Sequence, residues 1–200
     1  MSLVFPDSNA KGKFFRELRL VHDDLCSYAS AAAPYCAINS QDDNSKLIKY
    51  LNRDPTFWNC VLASLQTTAV ISIGRLHDKA KNHNHFSSLV KQLKLQGGIC
   101  AVASVELEAK LTEQQPFVVK ILKLRHGLFA HTSIHAPLIA NFGFQGLTLP
   151  EFRNYWSAVV GAMEKCDTAM FGQQIHTPKF NISLFESIEK STFKALASEA

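Results

Sequence analysis

Residues 54–78 read DPTFWNCVLASLQTTAVISIGRLHD, and this stretch decides the class of fold. Asp54 followed by Pro55 is a typical helix start, because the acid caps the first N–H groups and proline fits the first helical position. Apolar or small residues then hold one face as far as about Lys81; they are Trp58, Val61, Leu65, Ala69, Ser72 and Leu76. Apolar residues also occupy much of the remaining circumference, so we expect a long helix at the centre of a helical bundle.

The same helix is long enough to raise the question of a membrane span, since residues 57–74 carry no charge. Its surface is interrupted by Asn59, Gln66, Thr67 and Thr68, which favours a buried core helix. The start of the chain lacks the charged-then-apolar pattern of a signal peptide, and the five cysteines form no Cys-x-x-Cys pair. We therefore expect a cytoplasmic protein with reduced thiols and no membrane partner.

Helical periodicity continues along the rest of the chain, and no strand-like alternation is long enough to compete. We expect helices over about 8–31 (ended by Pro34), 40–51, 86–95, 101–115, 116–131, 148–171 (opened by a capping box from Thr148 to Glu151) and from about 181 onward. Composition shows no boundary and no internal repeat. Residues 1–200 are therefore predicted to form a single all-α domain with four to five core helices, a short peripheral helix and a C-terminal amphipathic helix.

The composition excludes a disordered chain, because 46% of the 200 residues are hydrophobic and 19% are charged. A net charge of +4 is too small for a protein that coats nucleic acid. Two stretches nevertheless contain basic residues and no acid: residues 114–150, with Lys120, Lys123, Arg125, His126, His131 and His135, and residues 79–105, with Lys79, Lys81, Lys91 and Lys94. These are either ordinary solvated helix faces or, if they meet in space, a local positive field suited to an anion such as phosphate.

The helix predicted to run from Phe117 to His131 places a charge where apolar residues are expected. At about 100° per residue, Arg125 lies near the middle of the apolar face and His131 at its edge. A guanidinium there is costly unless it is paired with an acid from another helix, lies at a subunit boundary, or opens on a cleft. Gly127 is consistent with the close approach of another backbone or of a ligand, whereas His131 could simply cap the helix C-terminus.

The segment Arg125-His-Gly-Leu-Phe-Ala-His131 has five residues between an arginine and a histidine, with a polar residue directly after the arginine. It resembles the Arg-x4–6-His motif of HEPN domains, and in particular that of their abortive-infection (AbiU-like) branch. Residues 57–78 resemble the long central helix of that branch, which ends in an Arg-Leu-x-Asp signature, here Arg75-Leu-His-Asp78. The resemblance is strongest over residues 55–132.

The resemblance implies a metal-independent endoribonuclease that needs no cofactor and acts on RNA as a homodimer, with the motifs of two subunits facing one cleft. It implies that His131 is a general base or acid toward the RNA 2′-OH or the leaving 5′-oxygen, and that Arg125 binds the scissile phosphate. His126 either positions the phosphate or is an exposed polar residue. Proteins of this kind act in phage defence or as toxins held by an antitoxin protein.

Arg75 and Asp78 are expected to support the site or the fold, because they share a helix face. Either they pair with each other, or Asp78 reaches Arg125. A catalytic role for Arg125 would be contradicted if this side chain were buried against Asp78 or Glu106 without access to solvent.

Two other functions stay open. One is a HEPN-fold module that binds a nucleotide or a partner without cleaving, and the other is a helical dimerisation protein in which Arg125 forms only an interface ion pair. A metal cluster at His83-Asn84-His85, with His77 and Asp78 nearby, is not favoured, since the polar loop offers no cysteine or acid at ligand spacing.

Overall fold

The structure, a computed structural model, describes residues 3–40, 45–78, 85–130, 147–172 and 179–199. Within these ranges the chain forms eight helices and no strand. The helices are α1 (Ser8–Asn39), α2 (Ser45–Leu51), α3 (Pro55–His77), α4 (His85–Gln96), α5 (Gly98–Glu113), α6 (Gln115–Ala130), α7 (Leu149–Phe171) and α8 (Leu184–Glu199). The predicted all-α bundle is therefore confirmed.

Local sequence signals set several of these helix ends. The Asp54 carboxylate accepts a hydrogen bond from the Phe57 N–H at 2.9 Å and caps α3. At the start of α7 the Thr148 N–H donates to Glu151 at 2.7 Å, as the predicted capping box requires. Gly97 separates α4 from α5 with a φ of +68°, a left-handed conformation that favours glycine.

The end of α1 differs from the prediction that Pro34 ends this helix, which is wrong. The helix continues to Asn39 with Pro34 inside it. Proline removes the hydrogen bond to the carbonyl four residues earlier, that of Ser30, and its ring crowds the same carbonyl, but Ser30 is exposed, so water can satisfy this group. Beyond the proline, Cys36 and Ala37 are buried, and this packing stabilises the extra turns.

α1 lies at the centre of the bundle and packs against α3, α4, α7 and α8. Its fully buried stripe consists of Phe14, Leu18, Val21, Leu25 and Tyr28. The Tyr28 O–H donates to the Phe152 carbonyl at 3.0 Å, which ties α1 to α7.

α3 is central only along its C-terminal half, where the buried residues begin at Ala69. In the N-terminal half Phe57 is 54% exposed, and Trp58 and Leu62 are only partly buried, against Ile38 of α1 and Leu196 of α8. Among the described residues, α3 is the one helix long and apolar enough to cross a membrane by length and composition, with a mean hydropathy of 1.3, and 28% of that apolar window is buried. The predicted core helix is thus present from Ala69 to Leu76 but not over residues 57–68.

Candidate functional site

The last turn of α3, from Gly74 to Asp78, gathers most of the polar side chains that the sequence indicates. Asp78 leaves the helix with an extended backbone, φ −64° and ψ 127°, while its N–H still bonds to the Gly74 carbonyl at 2.8 Å. Leu76 is fully buried and anchors the turn in the core. The turn is therefore held in place against α1, α4 and α6, which all pack on α3.

Arg125 reaches this turn from α6 and lies across Gly74. A Cβ atom at position 74 would come within 2.6 Å of Arg125 Cδ, closer than real side chains approach. Any side chain larger than that of glycine at position 74 would therefore force Arg125 to move from this position. Arg125 Nη1 then donates to the Asp78 carboxylate, so Gly74 and Asp78 form one cradle for the side chain.

The Arg125–Asp78 pair is only partly buried, with the two side chains 28% and 24% exposed. Of the three arrangements open for Arg125, the structure has the one in which an acid from another helix pairs with it. The Arg125 side chain keeps access to solvent, however, so the condition that would contradict a catalytic role is not met. Among the described residues, only the Nη1 atom of Arg125 has an acceptor, which leaves its Nε–H and Nη2–H groups for another anion.

The apolar face around Arg125 is covered largely within the chain. Phe117, Val118 and Ile121 are buried, and Phe117 packs against Phe152 of α7 with ring centroids 5.5 Å apart. This face therefore does not by itself require a second subunit.

Arg75, the residue next to Gly74, points to a different partner. Its Nη2 lies 2.5 Å from Asp24 Oδ1 and its Nε donates to Asp24 Oδ2 at 3.3 Å, so the guanidinium grips the carboxylate with two nitrogens. Asp24 is 1% exposed and Arg75 50% exposed at the side chain. Burial raises the pKa of the Asp24 carboxyl, while the positive charges of Arg75 and His85 oppose the rise. Of the two pairings open from the sequence, Asp78 with Arg125 forms and Arg75 with Asp78 does not.

His77, the next polar residue of the turn, faces the core. His77 Nε2 and the Tyr155 hydroxyl are 2.8 Å apart, and the imidazole ring packs against Phe86 at 5.2 Å. Burial lowers the pKa of His77 to about 4, because the charged imidazolium would lose its hydration. His77 is therefore neutral near pH 7 and serves the packing between α3, α4 and α7.

His126, His131 and His135 belong to the basic stretch from residue 114 to residue 150. His131 and His135 lie outside the described residues, and His131 directly follows Ala130, the last residue of α6. The backbone of His126 belongs to α6, but its side chain lies outside what the structure describes. Their roles stay predictions.

Acids from elsewhere in the chain neutralise part of the two basic stretches. Lys120 Nζ lies 2.7 Å from Glu151 of α7, and Lys94 Nζ lies 2.7 Å from Glu108 of α5. With the Arg125–Asp78 pair, these contacts show that stretches free of acid in sequence are not free of acid in space. Lys79 and Lys81 lie outside the described residues, so the meeting of the two stretches stays a prediction.

No group of three His, Cys, Asp or Glu side chains that could hold a metal occurs in the described part of the chain. His85 Nδ1 lies 3.0 Å from Glu17 instead, and this pair joins α4 to α1. His83 and Asn84 are outside the described residues.

Gly74 and Asp24 are the two site residues that sequence reasoning missed. Each is a residue type that is unfavourable where it stands. A glycine inside an apolar helix lowers helix stability by about 1 kcal/mol relative to alanine, which indicates that a close contact requires it. Asp24 is an acid on the stripe that includes Val21 and Tyr28, and an acid in such a place requires a partner.

The chain also matches a known protein family. A sequence model of the AbiU2 family of HEPN domains (HEPN_AbiU2) matches residues 13–181 of this chain. The matched range includes the Arg125–His131 segment and the last turn of α3. A search of the curated proteins and a search of the solved structures each found no match.

Proposed function

The chain belongs to the AbiU2 family of HEPN domains, associated with abortive infection, and we propose that it is a metal-independent endoribonuclease. Its substrate is RNA, its site is shared by two copies of the chain, and it acts in the cytoplasm in phage defence or as the toxin of a toxin–antitoxin pair. Membership of the family supports the class of reaction proposed, and the position of Arg125 supports this reaction for this chain.

One observation carries the proposal: Arg125 lies across Gly74 with its side chain partly open to solvent. Asp78 holds Nη1, so the side chain is restrained before any ligand arrives. Nε–H and Nη2–H stay available, and two N–H groups of one guanidinium match two oxygens of a phosphate. A restrained donor loses little entropy when it binds, which is the arrangement that transition-state stabilisation requires.

The reaction is an attack of the RNA 2′-oxygen on the neighbouring phosphorus. The new O–P bond forms as the bond from phosphorus to the 5′-oxygen breaks, which leaves a 2′,3′-cyclic phosphate and a free 5′-OH. One imidazole removes the proton of the 2′-OH and another delivers a proton to the 5′-oxygen, a task for which a pKa near neutrality is suited. We assign these steps to the His131 side chains of a dimer.

Arg125 has the complementary task in this scheme. Negative charge grows on the non-bridging phosphate oxygens as the new bond forms, and Arg125 stabilises this charge through two N–H donors. His126, the polar residue after Arg125, is assigned to the same phosphate as a positioning group.

A second candidate function is a HEPN-fold module that binds a nucleotide or a partner protein without cleaving it. The Arg125–Asp78 pair also favours this function, because the acid already balances the charge of the arginine. Such a module would use Arg125 to recognise a phosphate and would need no proton transfer.

Incubation of the purified full chain with RNA in buffer containing EDTA separates the two functions. The proposal predicts fragments that end in 2′,3′-cyclic phosphate, and predicts that His131→Ala and Arg125→Gln abolish them. Arg19→Gln is a matched control, since Arg19 is a largely exposed arginine on α1 that also pairs with an acid, Asp23; this variant is expected to cleave normally.

Two results would contradict the proposal. RNA that stays intact at every protein concentration would contradict a ribonuclease, and cleavage that survives His131→Ala would contradict the assignment of the proton transfers to His131. Intact RNA combined with tight binding of the same RNA would favour the non-catalytic module.

A further inference from the structure

The Arg75–Asp24 pair is not used by the proposed reaction, and its two members differ widely in burial. The carboxylate is almost fully buried on α1, whereas half of the arginine side chain is exposed. Two nitrogens of the guanidinium, Nε and Nη2, face the carboxylate. The third, Nη1, has no acceptor among the described residues.

The pair joins α1 to α3 at a cost in desolvation free energy. Position 24 lies on the buried stripe of α1, between Val21 and Tyr28, where an apolar side chain would pack without loss of hydration. Burial of Asp24 raises its pKa, which means that the ionised form is disfavoured at this position. What the pair provides instead is a guanidinium fixed at the surface with one edge directed away from its acid.

Arg75 also lies beside the Arg125 cradle. It directly follows Gly74, over which Arg125 lies, and it comes three residues before Asp78, a spacing that brings Cβ atoms to about 5–6 Å on a helix. Arg75 of α3 is held by Asp24 of α1, and Arg125 of α6 is held by Asp78, so two restrained guanidinium groups lie at the last turn of α3.

We propose that Arg75 binds a second phosphate of the RNA, next to the one that Arg125 binds. Nη1–H and the outward Nη2–H of Arg75 donate to this phosphate, while Asp24 keeps the guanidinium in place. The two arginines then fix the direction of the RNA backbone across the last turn of α3. This inference rests on the proposed function, because it assumes that RNA is the ligand.

The chain offers a matched control in Arg153 of α7. Arg153 also grips an acid, Glu189 of α8, with Nε and Nη2, and it is 37% exposed. This pair joins α7 to α8 and not the last turn of α3. It therefore reproduces the chemistry of the Arg75–Asp24 pair without its place beside Arg125.

The test is the salt dependence of RNA binding, measured by fluorescence anisotropy with a labelled single-stranded RNA. His131→Ala is the parent protein, so that the RNA stays intact. Asp24→Asn/Arg75→Gln is compared with Arg153→Gln/Glu189→Gln in this background. Each double variant removes one positive and one negative charge, so net charge is unchanged and no buried acid is left unpaired.

Each phosphate that a protein neutralises on a single strand contributes about 0.7 to the slope of log K against log salt. We expect the Asp24/Arg75 variant to bind more weakly than the parent, with a slope smaller by about 0.7 for each Arg75 in contact. The Arg153/Glu189 variant is expected to keep the slope of the parent. A purely structural pair would change the melting temperature and leave the slope unaltered.

If the Asp24→Asn/Arg75→Gln variant fails to fold, the slope is measured for Arg75→Gln alone, at a concentration of folded protein equal to that of the parent. An unchanged slope in the folded Asp24/Arg75 variant, with a parent that binds RNA, overturns the inference and leaves the proposed function standing. A parent that binds no RNA overturns both.

Discussion

The two halves of α3 have similar apolar character but different surroundings. From Ala69 to His77 the helix lies in the core, and each residue of its last turn has a defined contact in α1, α6, α7 or the core. Over residues 56–68, which contain no acid, lysine, arginine or histidine, the helix is half covered and Phe57 is 54% exposed. An apolar pattern therefore specifies how much of a helix can be buried, whereas the helices packed beside it determine how much of it is buried.

The largest expected difference between the halves is in stability. Leu76→Ala removes a fully buried side chain from the C-terminal half and is expected to lower the free energy of unfolding by about 2–5 kcal/mol. Phe57→Ala removes an exposed ring from the N-terminal half and is expected to cost about 0.5 kcal/mol. Urea unfolding of both variants measures the difference. Equal losses would show that a partner or a second copy covers the N-terminal half in solution.

The pH dependence of stability should also come from the C-terminal half. The pKa of His77 is about 4 in the folded chain and about 6.5 when the imidazole is free. The unfolded chain therefore binds a proton that the folded chain excludes, and stability falls as the pH drops from about 6.5 toward 4, by roughly 1.4 kcal/mol for each pH unit.

His77→Gln tests this origin, because glutamine keeps a partner for the Tyr155 hydroxyl and does not titrate. The variant should lose most of the fall in stability between pH 6.5 and 4, measured by urea unfolding at several pH values. His22→Gln on α1 is the control and should retain it. If His77→Gln and the wild type share one pH profile, the account of this histidine is wrong.

The smallest expected change in stability is that of Asp78→Asn. Both members of the Arg125–Asp78 pair are partly exposed, so loss of the charge on Asp78 should cost about 1 kcal/mol or less. Thermal unfolding measures this. A loss of several kcal/mol would instead place Arg125 among the structural residues of the core.

Local signals in the sequence were sufficient for the class of fold and for several helix ends. Asp54-Pro55 and the Thr148–Glu151 box act within a few residues of the backbone they cap, so no distant contact can overrule them easily. Pro34 is the opposite case. Its effect on the backbone is local, but burial of the residues after it keeps the helix intact.

The partners of the charged residues could not be predicted from spacing alone. Helical periodicity places Arg125 on the packed face of α6, but it does not say which helix crosses there, and it leaves open whether Asp78 pairs with Arg125 or with Arg75. Once α3 is known to cross at Gly74, both the close approach and the pairing with Asp78 follow. Asp24 needed the same knowledge, since its partner Arg75 is 51 residues away in sequence.

The central claim is that the position of Arg125 across Gly74 is required for cleavage of RNA, and Gly74→Ala tests it most directly. Gly12→Ala on α1 is the matched control, because a Cβ at position 12 would meet nothing within 4 Å. Both changes replace a helical glycine by alanine, so neither loses helix propensity. The measurement is the rate of RNA cleavage in EDTA at equal fractions of folded protein. The account predicts a rate about 100-fold below wild type for Gly74→Ala, because the methyl group displaces Arg125, and a normal rate for Gly12→Ala. Equal rates for the two variants would contradict it.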